Sequence, residues 1–494
     1  MMYGEEKSDS LIVAANLANN PQGAESVERR SGAKGNAEQP HMRRTQSRES
    51  MSQRLSRVRE AAKQRKKERF TALFHLLTAE ALENAFLSLS RKAAAGVDGV
   101  RWKDYAENLK VNIADLHRRL HQGSYRAQPG RRHYIPKADG KQRPLGIASL
   151  EDKIVQYALV KILNAVYEND FMGFSYGFRP GRSQHNALDA LATGLVRTNV
   201  NWVLDADISQ FFDKVSHEWL IRFIEHRIGD QRVIRLIRKW LTAGTSEEGE
   251  WRASEEGTPQ GAVISPLLAN IYLHYVFDLW AHQWRRRHAT GNVVMVRYAD
   301  DIVIGFDKRI DAQCFRIAMQ RRLKEFGLTV HPKKTRLMEF GRFAAENRAS
   351  RGKGKPETFN FLGFTHISGK DRSGRFMLIR KTRRDRMTAT LKAIKDGLRK
   401  RWHYSIPEQG KWLRRVVQGY LNYHSVPGNY PMMRKFRIYV TDLWRRALRR
   451  RSQQDDTTWT KANRLAAVWL PKVRVLHPWP VERFTARHPR QEPG

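Results

Sequence analysis

The amino-acid sequence predicts an α+β fold followed by a basic helical domain. Two segments have the short apolar runs of buried strands, NWVLDADIS at 201–209 and VVMVRYADDIVIGF at 293–306. Helical patterns surround them in irregular order, which favours α+β over a doubly wound parallel sheet. Beyond about residue 370 the strand patterns fade and helical patterns continue, so a separate C-terminal helical domain is expected.

The composition predicts a folded protein that binds a polyanion. The 494 residues are 40% hydrophobic, which is enough for two or three domains with apolar cores. Lys and Arg number 90 against 50 Asp and Glu, a formal net charge of +40. Such an excess repels itself unless phosphates neutralise it, so nucleic acid is the expected partner. A charged surface without an assigned partner is the alternative.

The sequence argues against disulfides, zinc modules and membrane spans. Cys314 is the single cysteine, so the chain has no intramolecular disulfide and no Cys-x-x-Cys pair for zinc. The apolar stretch 11–18 is short and follows Glu5 and Glu6, and no run approaches the roughly 20 residues of a membrane helix. A cytoplasmic protein without membrane contact is expected.

The N-terminal region is predicted in two parts. Residues 1–55 are rich in small and polar side chains, which predicts a flexible leader. Residues 56–90 start with the basic segment SRVREAAKQRKKERF and continue into an amphipathic stretch at 70–89. This pattern predicts a basic helical extension, which we expect to contact RNA.

The C-terminal region carries a one-sided charge. Between residues 370 and 415 there are sixteen Lys or Arg against four Asp or Glu, interleaved with aromatic residues. Solvated helix faces are rarely so unbalanced, so this region is predicted to bind nucleic acid.

Carboxylates in the two strand segments indicate a catalytic site. Asp300 and Asp301 fall between the apolar runs VVMV and IVIGF, so a hairpin would place both at its turn. Adjacent aspartates at a turn are often only turn-formers, so a second group has to decide. The period of two puts Asp205 and Asp207 on one face of the other strand. Carboxylates converging from neighbouring strands would be costly without a cation, and Mg²⁺ suits them and phosphoryl transfer.

These segments resemble the motifs of bacterial group II intron reverse transcriptases/maturases. The sequence Tyr298–Asp301 is similar to the YADD motif of reverse transcriptases, and LDADISQFFD to the preceding carboxylate motif. Further family motifs occur in order, namely AGVDG at 95–99, IPKADGKQRPLGI at 135–147, SYGFRPGRS at 175–183, GTPQGAVISPLLANIYLH at 257–274, GLTVHPKKT at 327–335 and FNFLGF at 359–364. The resemblance extends over residues 70–485.

The resemblance implies an architecture. It implies a right-hand polymerase fold, with fingers and palm over 91–368 that combine a mixed antiparallel sheet with helices. An α-helical thumb/maturase domain would follow over 369–485, before a tail at 486–494. Many family members carry a zinc-binding endonuclease domain after the thumb, and we expect this chain to be a form without it.

The resemblance also implies roles for individual residues. Asp207, Asp300 and Asp301 would be the catalytic residues and, with Ile208, the ligands of two Mg²⁺ ions. The implied substrate-binding residues are Lys137, Arg143, Phe212, Gln260 and Tyr298. The implied nucleic-acid-binding residues are Arg179, Arg182, Lys334, Arg383, Arg384, Arg386, Arg414 and Arg415. Phe212 would lie under the incoming sugar and exclude a 2′ hydroxyl.

Several of these residues have simpler alternatives. Lys137 and Arg143 fit a solvated basic hairpin as well as a triphosphate site. Phe212 fits core packing, and Arg179 and Arg182 fit either template phosphates or stabilisation of their own turn. Ala262 stands where the commoner family form repeats glycine, which adds a methyl group near the expected path of the nucleic acid.

The implied function is that of an RNA-directed DNA polymerase and maturase. Such a protein binds a group II intron RNA, assists its splicing and copies it into DNA from deoxynucleoside triphosphates and a DNA primer at the target. A retron-type reverse transcriptase is one alternative, disfavoured by the long C-terminal region. A maturase with a decayed polymerase is another, disfavoured because the metal and triphosphate positions are intact.

Overall fold

Helices form both ends of the described chain, and strands occur between residues 130 and 382. The computed structural model describes residues 50–136, 142–247, 249–451 and 457–487. The α-helices in these ranges are α1 (Met51–Gln64), α2 (Ala79–Ser88), α3 (Trp102–Glu107), α4 (Leu109–His121), α5 (Leu150–Tyr167), α6 (Gln184–Arg197), α7 (His217–Arg227), α8 (Gln231–Thr242), α9 (Ser265–Leu273), α10 (Leu279–Arg287), α11 (Arg309–Glu325), α12 (Ala344–Ala349), α13 (Arg384–Arg399), α14 (Ile406–His424), α15 (Tyr430–Arg449), α16 (Trp459–Trp469) and α17 (Pro480–Arg487). Short 3₁₀ turns occur at Phe74–Leu76 and Phe211–Asp213, and a π-helical turn at His274–Asp278.

The strands form three separate sheets. They are β1 (Gly130–Pro136), β2 (Gln142–Ile147), β3 (Trp202–Asp207), β4 (Thr245–Glu247), β5 (Glu250–Arg252), β6 (Val293–Tyr298), β7 (Asp301–Phe306), β8 (Arg336–Glu339), β9 (Phe359–Phe361), β10 (Phe364–Lys370) and β11 (Phe376–Thr382). The strand orders are β2-β1-β4-β5, β6-β7-β3-β8 and β11-β10-β9. We name these the hairpin sheet, the carboxylate sheet and the small sheet. The predicted mixture of helices and strands is confirmed.

The carboxylate sheet is buried on both faces. Ile302 and Ile304 of β7 join one apolar core with Phe315 of α11, while Val303 joins a second core with Leu188 of α6. Burial on both faces explains why this segment reads as a continuous apolar run instead of an alternating one.

The N-terminal extension differs from the prediction. Helix α1 starts at Met51, inside the predicted leader, and ends at Gln64, and α2 begins only at Ala79, so the predicted helical extension consists of two separate α-helices. The Arg227 guanidinium accounts for this break, because it donates hydrogen bonds to backbone carbonyls at the end of α1, including that of Arg65 at 2.9 Å. The remaining leader, residues 1–49, lies outside the described residues.

The strands also continue further than predicted. Strands β10 and β11 pair along their whole length, so the C-terminal helices begin only at Arg384. The sequence hides β11 because basic residues interrupt its apolar pattern. One of them, Arg380, is nevertheless buried, because its guanidinium pairs with Asp189 of α6.

The C-terminal helices have an apolar core of their own. Residues from α13, α14 and α15 meet there, among them Ile394, Leu413 and Trp444. The Trp444 indole N–H donates to Gln409 Oε1 at 2.9 Å, which satisfies both of these buried polar groups. In the ranges given above, no helix is both long enough and apolar enough to cross a membrane.

Candidate active site

The carboxylate sheet brings three predicted aspartates to one end. Strands β6 and β7 pair antiparallel from Val293↔Phe306 to Tyr298↔Asp301, so Asp300 lies in the connecting turn. Strand β3 lies beside β7 with Asp207 directly opposite Asp301. Directly opposed residues of antiparallel strands have side chains on the same face, close enough to interact. The sheet therefore gathers Asp207, Asp300 and Asp301 around one point.

The clustering is electrostatically unfavourable without a cation. Burial raises the pKa of the Asp300 carboxyl, and the negative charge of Asp207 raises it further. The positive charges of Arg143 and Lys334 lower it. Burial, followed by the charges of Asp300 and Asp207, likewise raises the pKa of Asp301 to about 8. The Asp301 side chain is nevertheless exposed to solvent. The carboxylates thus repel one another at a place that solute ions can reach.

Lys334 supplies one positive charge to this cluster. Its Nζ lies 2.7 Å from Asp207 Oδ2. The turn that carries it is held in place because His331 N donates to the backbone carbonyl of Asp207 at 2.7 Å. The sequence predicts Lys334 as a nucleic-acid contact, and the structure adds a contact with a predicted metal ligand.

The donor set fits a hard divalent cation. Asp207, Asp300 and Asp301 offer carboxylate oxygens, which Mg²⁺ prefers, and a cation would relieve their repulsion. Ile208 is buried and could add only its backbone carbonyl. Among the described residues no group of three or more His, Cys, Asp or Glu already has the arrangement of a metal site. Mg²⁺ usually binds one or two carboxylates and completes its shell with water and substrate phosphates, so these two facts are compatible.

Three motifs meet beside the carboxylates. Arg143 Nε donates to Gln260 Oε1 at 3.1 Å, and Gln260 Nε2 donates to Asp213 Oδ1 at 3.0 Å. Thr258 N donates to the Phe212 carbonyl at 2.7 Å, which joins the loop before α9 to the turn after β3. Phe212 is half-buried there. Predicted substrate-binding residues from β2, the Phe212 turn and the Gln260 loop thus lie side by side.

The two remaining predicted substrate contacts stand differently. Tyr298 is the last residue of β6, opposite Asp301, with its ring 6.4 Å from that of Phe178. Lys137 lies outside the described residues, since residues 137–141, which connect β1 and β2, are not among them. The hairpin that the sequence predicts around these residues is confirmed by the pairing of β1 with β2.

Arg179 has an internal role, which corrects its prediction as a nucleic-acid contact. Its side chain is only 2% exposed and its Nη2 lies 3.0 Å from Glu168 Oε2. Its Nη1 donates to the carbonyls of Met172 and Ser175, both at 2.8 Å. Arg182 is half-buried and also donates to the Ser175 carbonyl, at 3.1 Å. These arginines stabilise their own turn, and a phosphate contact of Arg182 stays a prediction.

The other predicted nucleic-acid contacts lie on the C-terminal helices. Arg384, Arg414 and Arg415 are exposed on α13 and α14. Arg383 precedes α13 and pairs with Asp385 at 2.6 Å, and Arg386 is half-buried. These residues belong to different elements from the three aspartates, although the charge of Arg383 still reaches Asp205 of β3.

Sequence patterns did not reveal a buried ion pair next to the Asp300–Asp301 turn. Arg297 and Asp278 are fully buried and form a two-pronged ion pair, and Asn270 and Ser175 bond to the same guanidinium. The available signal was an arginine in VVMVRYA and an aspartate in YVFDLW, two charges inside apolar segments. Charges in such segments are tolerated when they are paired.

Left-handed backbone marks the turns of this region. Among the described residues, the non-glycine residues with positive φ are Phe178, Gln210, Ala299 and Leu362. Each belongs to a different predicted motif or its adjoining turn. Such conformations are disfavoured for residues with a Cβ and concentrate at functional sites.

Comparisons with known proteins agree with this geometry. Residues 135–366 match the family described as Reverse transcriptase (RNA-dependent DNA polymerase). The chain is 43% identical to Protein YkfC of Escherichia coli (strain K12) over 206 residues, 41% of this chain and 54% of that protein. It is 37% identical to Group II intron-encoded protein LtrA of Lactococcus lactis subsp. cremoris over 223 residues, 44% of this chain and 37% of that protein. Identity with the Putative COX1/OXI3 intron 1 protein of Saccharomyces cerevisiae is 26% over 393 residues, 66% of this chain and 46% of that protein.

The chain spans about half the length, or less, of these relatives. The matched family segment contains β2, the whole carboxylate sheet and the loop with Gln260. Two of the three relatives bear names that refer to introns. Residues 135–366 are therefore similar to reverse transcriptases, and among the relatives are proteins encoded by group II introns.

Proposed function

We propose that this chain is an RNA-directed DNA polymerase and maturase. It binds a group II intron RNA, assists its splicing and copies it into DNA. The observation that carries the proposal is the opposition of Asp207 and Asp301 across β3 and β7, with Asp300 at the adjoining turn. An intron RNA, a DNA target with its primer, and deoxynucleoside triphosphates are the proposed partners and substrates.

The proposed architecture is a right hand. We assign the hairpin sheet with α2 to α5 to the fingers, and the carboxylate sheet with α6 and α11 to the palm. We assign α13 to α16 to a thumb that also serves as the maturase surface. The thumb then starts at Arg384 instead of residue 369, because β10 and β11 belong to a sheet.

The proposed chemistry is nucleotidyl transfer at two Mg²⁺ ions. When bound, the ions activate a primer 3′ hydroxyl and stabilise the departing pyrophosphate. Asp207, Asp300 and Asp301 would hold them, and the ions would supply positive charge that Lys334 otherwise supplies to Asp207. Arg143 is held beside the carboxylates by Gln260 and can bind triphosphate oxygens with its remaining donors.

Phe212 is the proposed sugar gate. It lies five residues after Asp207, and its backbone is fixed by the hydrogen bond from Thr258. Its ring packs edge-on against Phe211, with centroids 5.4 Å apart, which limits its movement. A bulky ring held next to the metal site would clash with a 2′ hydroxyl and so favour deoxynucleotides.

The C-terminal helices are the proposed RNA-binding surface. Arg384, Arg414 and Arg415 present exposed guanidinium groups, which bind phosphates without regard to sequence. Binding through phosphates releases counterions, so affinity for RNA should fall steeply as salt increases.

Primer extension on an RNA template tests the proposal. The purified chain, with Mg²⁺ and deoxynucleotides, is compared with its Asp300→Ala, Asp301→Ala double variant. Extension by the wild type that is lost in the variant supports the polymerase. No extension by a folded wild type that binds RNA would overturn it and would favour a maturase without polymerase activity.

A further inference from the structure

An ion pair buried in the protein interior lies next to the turn that carries the aspartates. Arg297 Nε donates to Asp278 Oδ1 at 2.7 Å, and Arg297 Nη2 donates to Asp278 Oδ2 at 2.6 Å. Both side chains are 0% exposed. Such two-pronged pairing fixes both the position and the plane of the guanidinium.

The guanidinium also holds the turn itself. Arg297 Nη1 donates to the Ala299 carbonyl at 2.9 Å. Ala299 has a φ of 55° and precedes Asp300. Since this left-handed conformation is disfavoured for alanine, the turn needs a partner that holds it there. The Nη1 bond gives the turn that partner.

Neighbouring segments are tied to the same point. Arg297 Nη1 also donates to Asn270 Oδ1 at 3.2 Å, and Asn270 Nδ2 donates to the Gly177 carbonyl at 2.7 Å. Gly177 lies against the Ala299 backbone so closely that a Cβ there would overlap it. Arg297 Nη2 donates in addition to Ser175 Oγ at 2.7 Å. One guanidinium thus connects α9, the 175–177 segment and the aspartate turn.

The position of Asp278 depends on an irregular helix. It is the last residue of the π-helical turn His274–Asp278, between α9 and α10. π-helical turns are rare and frequently mark functional sites, because the extra residue changes which side chains face inwards. The irregularity coincides with the residue that anchors Arg297.

We propose that Arg297 and Asp278 are positioning residues that fix the Asp300–Asp301 turn and so set its affinity for divalent metal. The inference rests on the proposed polymerase function. An apolar pair of similar volume would stabilise the fold as well or better, so stability alone does not account for two buried charges. Their distinct contribution is the bond to the Ala299 carbonyl, which an apolar pair cannot make.

The test uses two variants of the pair and one matched control. Arg297→Lys keeps a charge opposite Asp278 but has too few donors to reproduce the bonds of Nη1. The double variant Arg297→Met, Asp278→Leu removes both charges together and leaves no unpaired one. The control is Arg227→Lys, because Arg227 is also buried and paired, with Asp170 at 2.7 Å, but contacts the end of α1.

Three measurements on the full chain separate positioning from stability. Mn²⁺ binding to the free protein is followed by electron paramagnetic resonance, extension kinetics give kcat and KM, and hydrogen exchange reports the peptide containing residues 298–301. We expect both variants to lower kcat about 10- to 100-fold and to weaken Mn²⁺ binding, the usual effect of losing a group that orients metal ligands. Their exchange at 298–301 should be faster, and their affinity for RNA unchanged. The control should change none of these, although its unfolding temperature should fall.

Each outcome decides the matter. Folded variants with wild-type Mn²⁺ affinity and kcat would overturn the proposal and leave the pair a structural one. If the double variant does not fold, Arg297→Lys decides by itself. A wild type that binds Mn²⁺ but extends no primer would refute the proposed function, while the Mn²⁺ and exchange measurements would still test the role of the pair.

Discussion

The end of the carboxylate sheet and the surface of the C-terminal helices carry their charges in opposite ways. At the sheet, a few charged groups are fixed by bonds of known length, such as that between Lys334 and Asp207. On α13 and α14, arginines such as Arg414 and Arg415 project into solvent. At the sheet, the proposed metal-dependent chemistry depends on single atoms. On the helices, the proposed binding of phosphates depends on many equivalent cations.

This difference predicts how each region responds to mutation. A substitution at the sheet should remove an activity outright, because no other group can take the missing oxygen's place. A substitution on the helices should produce a small loss, because neighbouring cations still attract the same phosphates. The following experiments test this difference in the response to mutation.

The largest effect is expected from Asp207→Asn. Loss of a metal ligand should remove several kcal/mol of transition-state stabilisation, so primer extension should fall about a thousandfold or more while RNA affinity stays unchanged. The control is Asp307→Asn at the opposite end of the carboxylate sheet, where Asn201 Nδ2 donates to Asp307 Oδ1 at 3.3 Å. If Asp207→Asn retained primer extension within tenfold of the wild type, Asp207 would not be an essential metal ligand.

The next effect is expected from Arg179→Ala, and it should appear in stability. Removing one partner of a buried ion pair leaves Glu168 uncompensated, which typically costs about 3–5 kcal/mol. Urea unfolding measures this loss, and the salt dependence of RNA binding should not change. Exposed Arg384→Ala is the matched control and should leave the unfolding free energy unaltered. A changed salt dependence in Arg179→Ala would restore its predicted contact with nucleic acid.

A smaller effect is expected from the helices, and only when substitutions are combined. Changing Arg384, Arg414 and Arg415 together to Gln should reduce the slope of log affinity against log salt by about one for each phosphate that the protein no longer binds. Each single change should alter RNA affinity by less than about threefold. A comparison triple consists of Arg118, Arg222 and Arg238, each of which already pairs with an acidic residue. If a single substitution abolished RNA binding, the affinity would depend on one arginine and not on the whole surface.

The smallest effect is expected from Tyr423→Phe, at a contact between the C-terminal helices and the small sheet. The Tyr423 hydroxyl of α14 donates to the Leu362 carbonyl between β9 and β10 at 2.9 Å. Loss of this bond should cost about 1 kcal/mol of unfolding free energy. Tyr439→Phe, on the exposed face of α15, serves as the comparison. Equal effects of the two changes would show that the Leu362 contact does not couple the regions.

The sequence predicted the aspartate cluster because its signals are local. The period of two in β3 and the interruption between two apolar runs are both visible without neighbours, and the register then brings Asp207 opposite Asp301. The helix α11 and the β1–β2 hairpin were predictable for the same reason. Their side-chain patterns depend on segments of fewer than about twenty residues.

The features that the sequence did not reveal depend on partner residues that are distant in the chain. Arg179 and Arg380 look like surface cations in the sequence, but Glu168 and Asp189 neutralise them in the interior. No local pattern distinguishes a buried paired arginine from an exposed one. The same limit hid the Arg297–Asp278 pair, whose members come from different elements. Lys137 lies outside the described residues, so its role stays a prediction.

The left-handed residues Phe178, Gln210, Ala299 and Leu362 bear on how this protein can be engineered. Glycine would adopt the same backbone angles without the cost of about 1 kcal/mol or more that a Cβ brings at each position. It would also release the loops that hold the aspartates and their neighbours. Glycine also raises the conformational entropy of the unfolded chain, so the net change in stability at each position should be small while the order of the loops is lost. A screen that couples survival at high temperature to DNA synthesis would keep the original side chains.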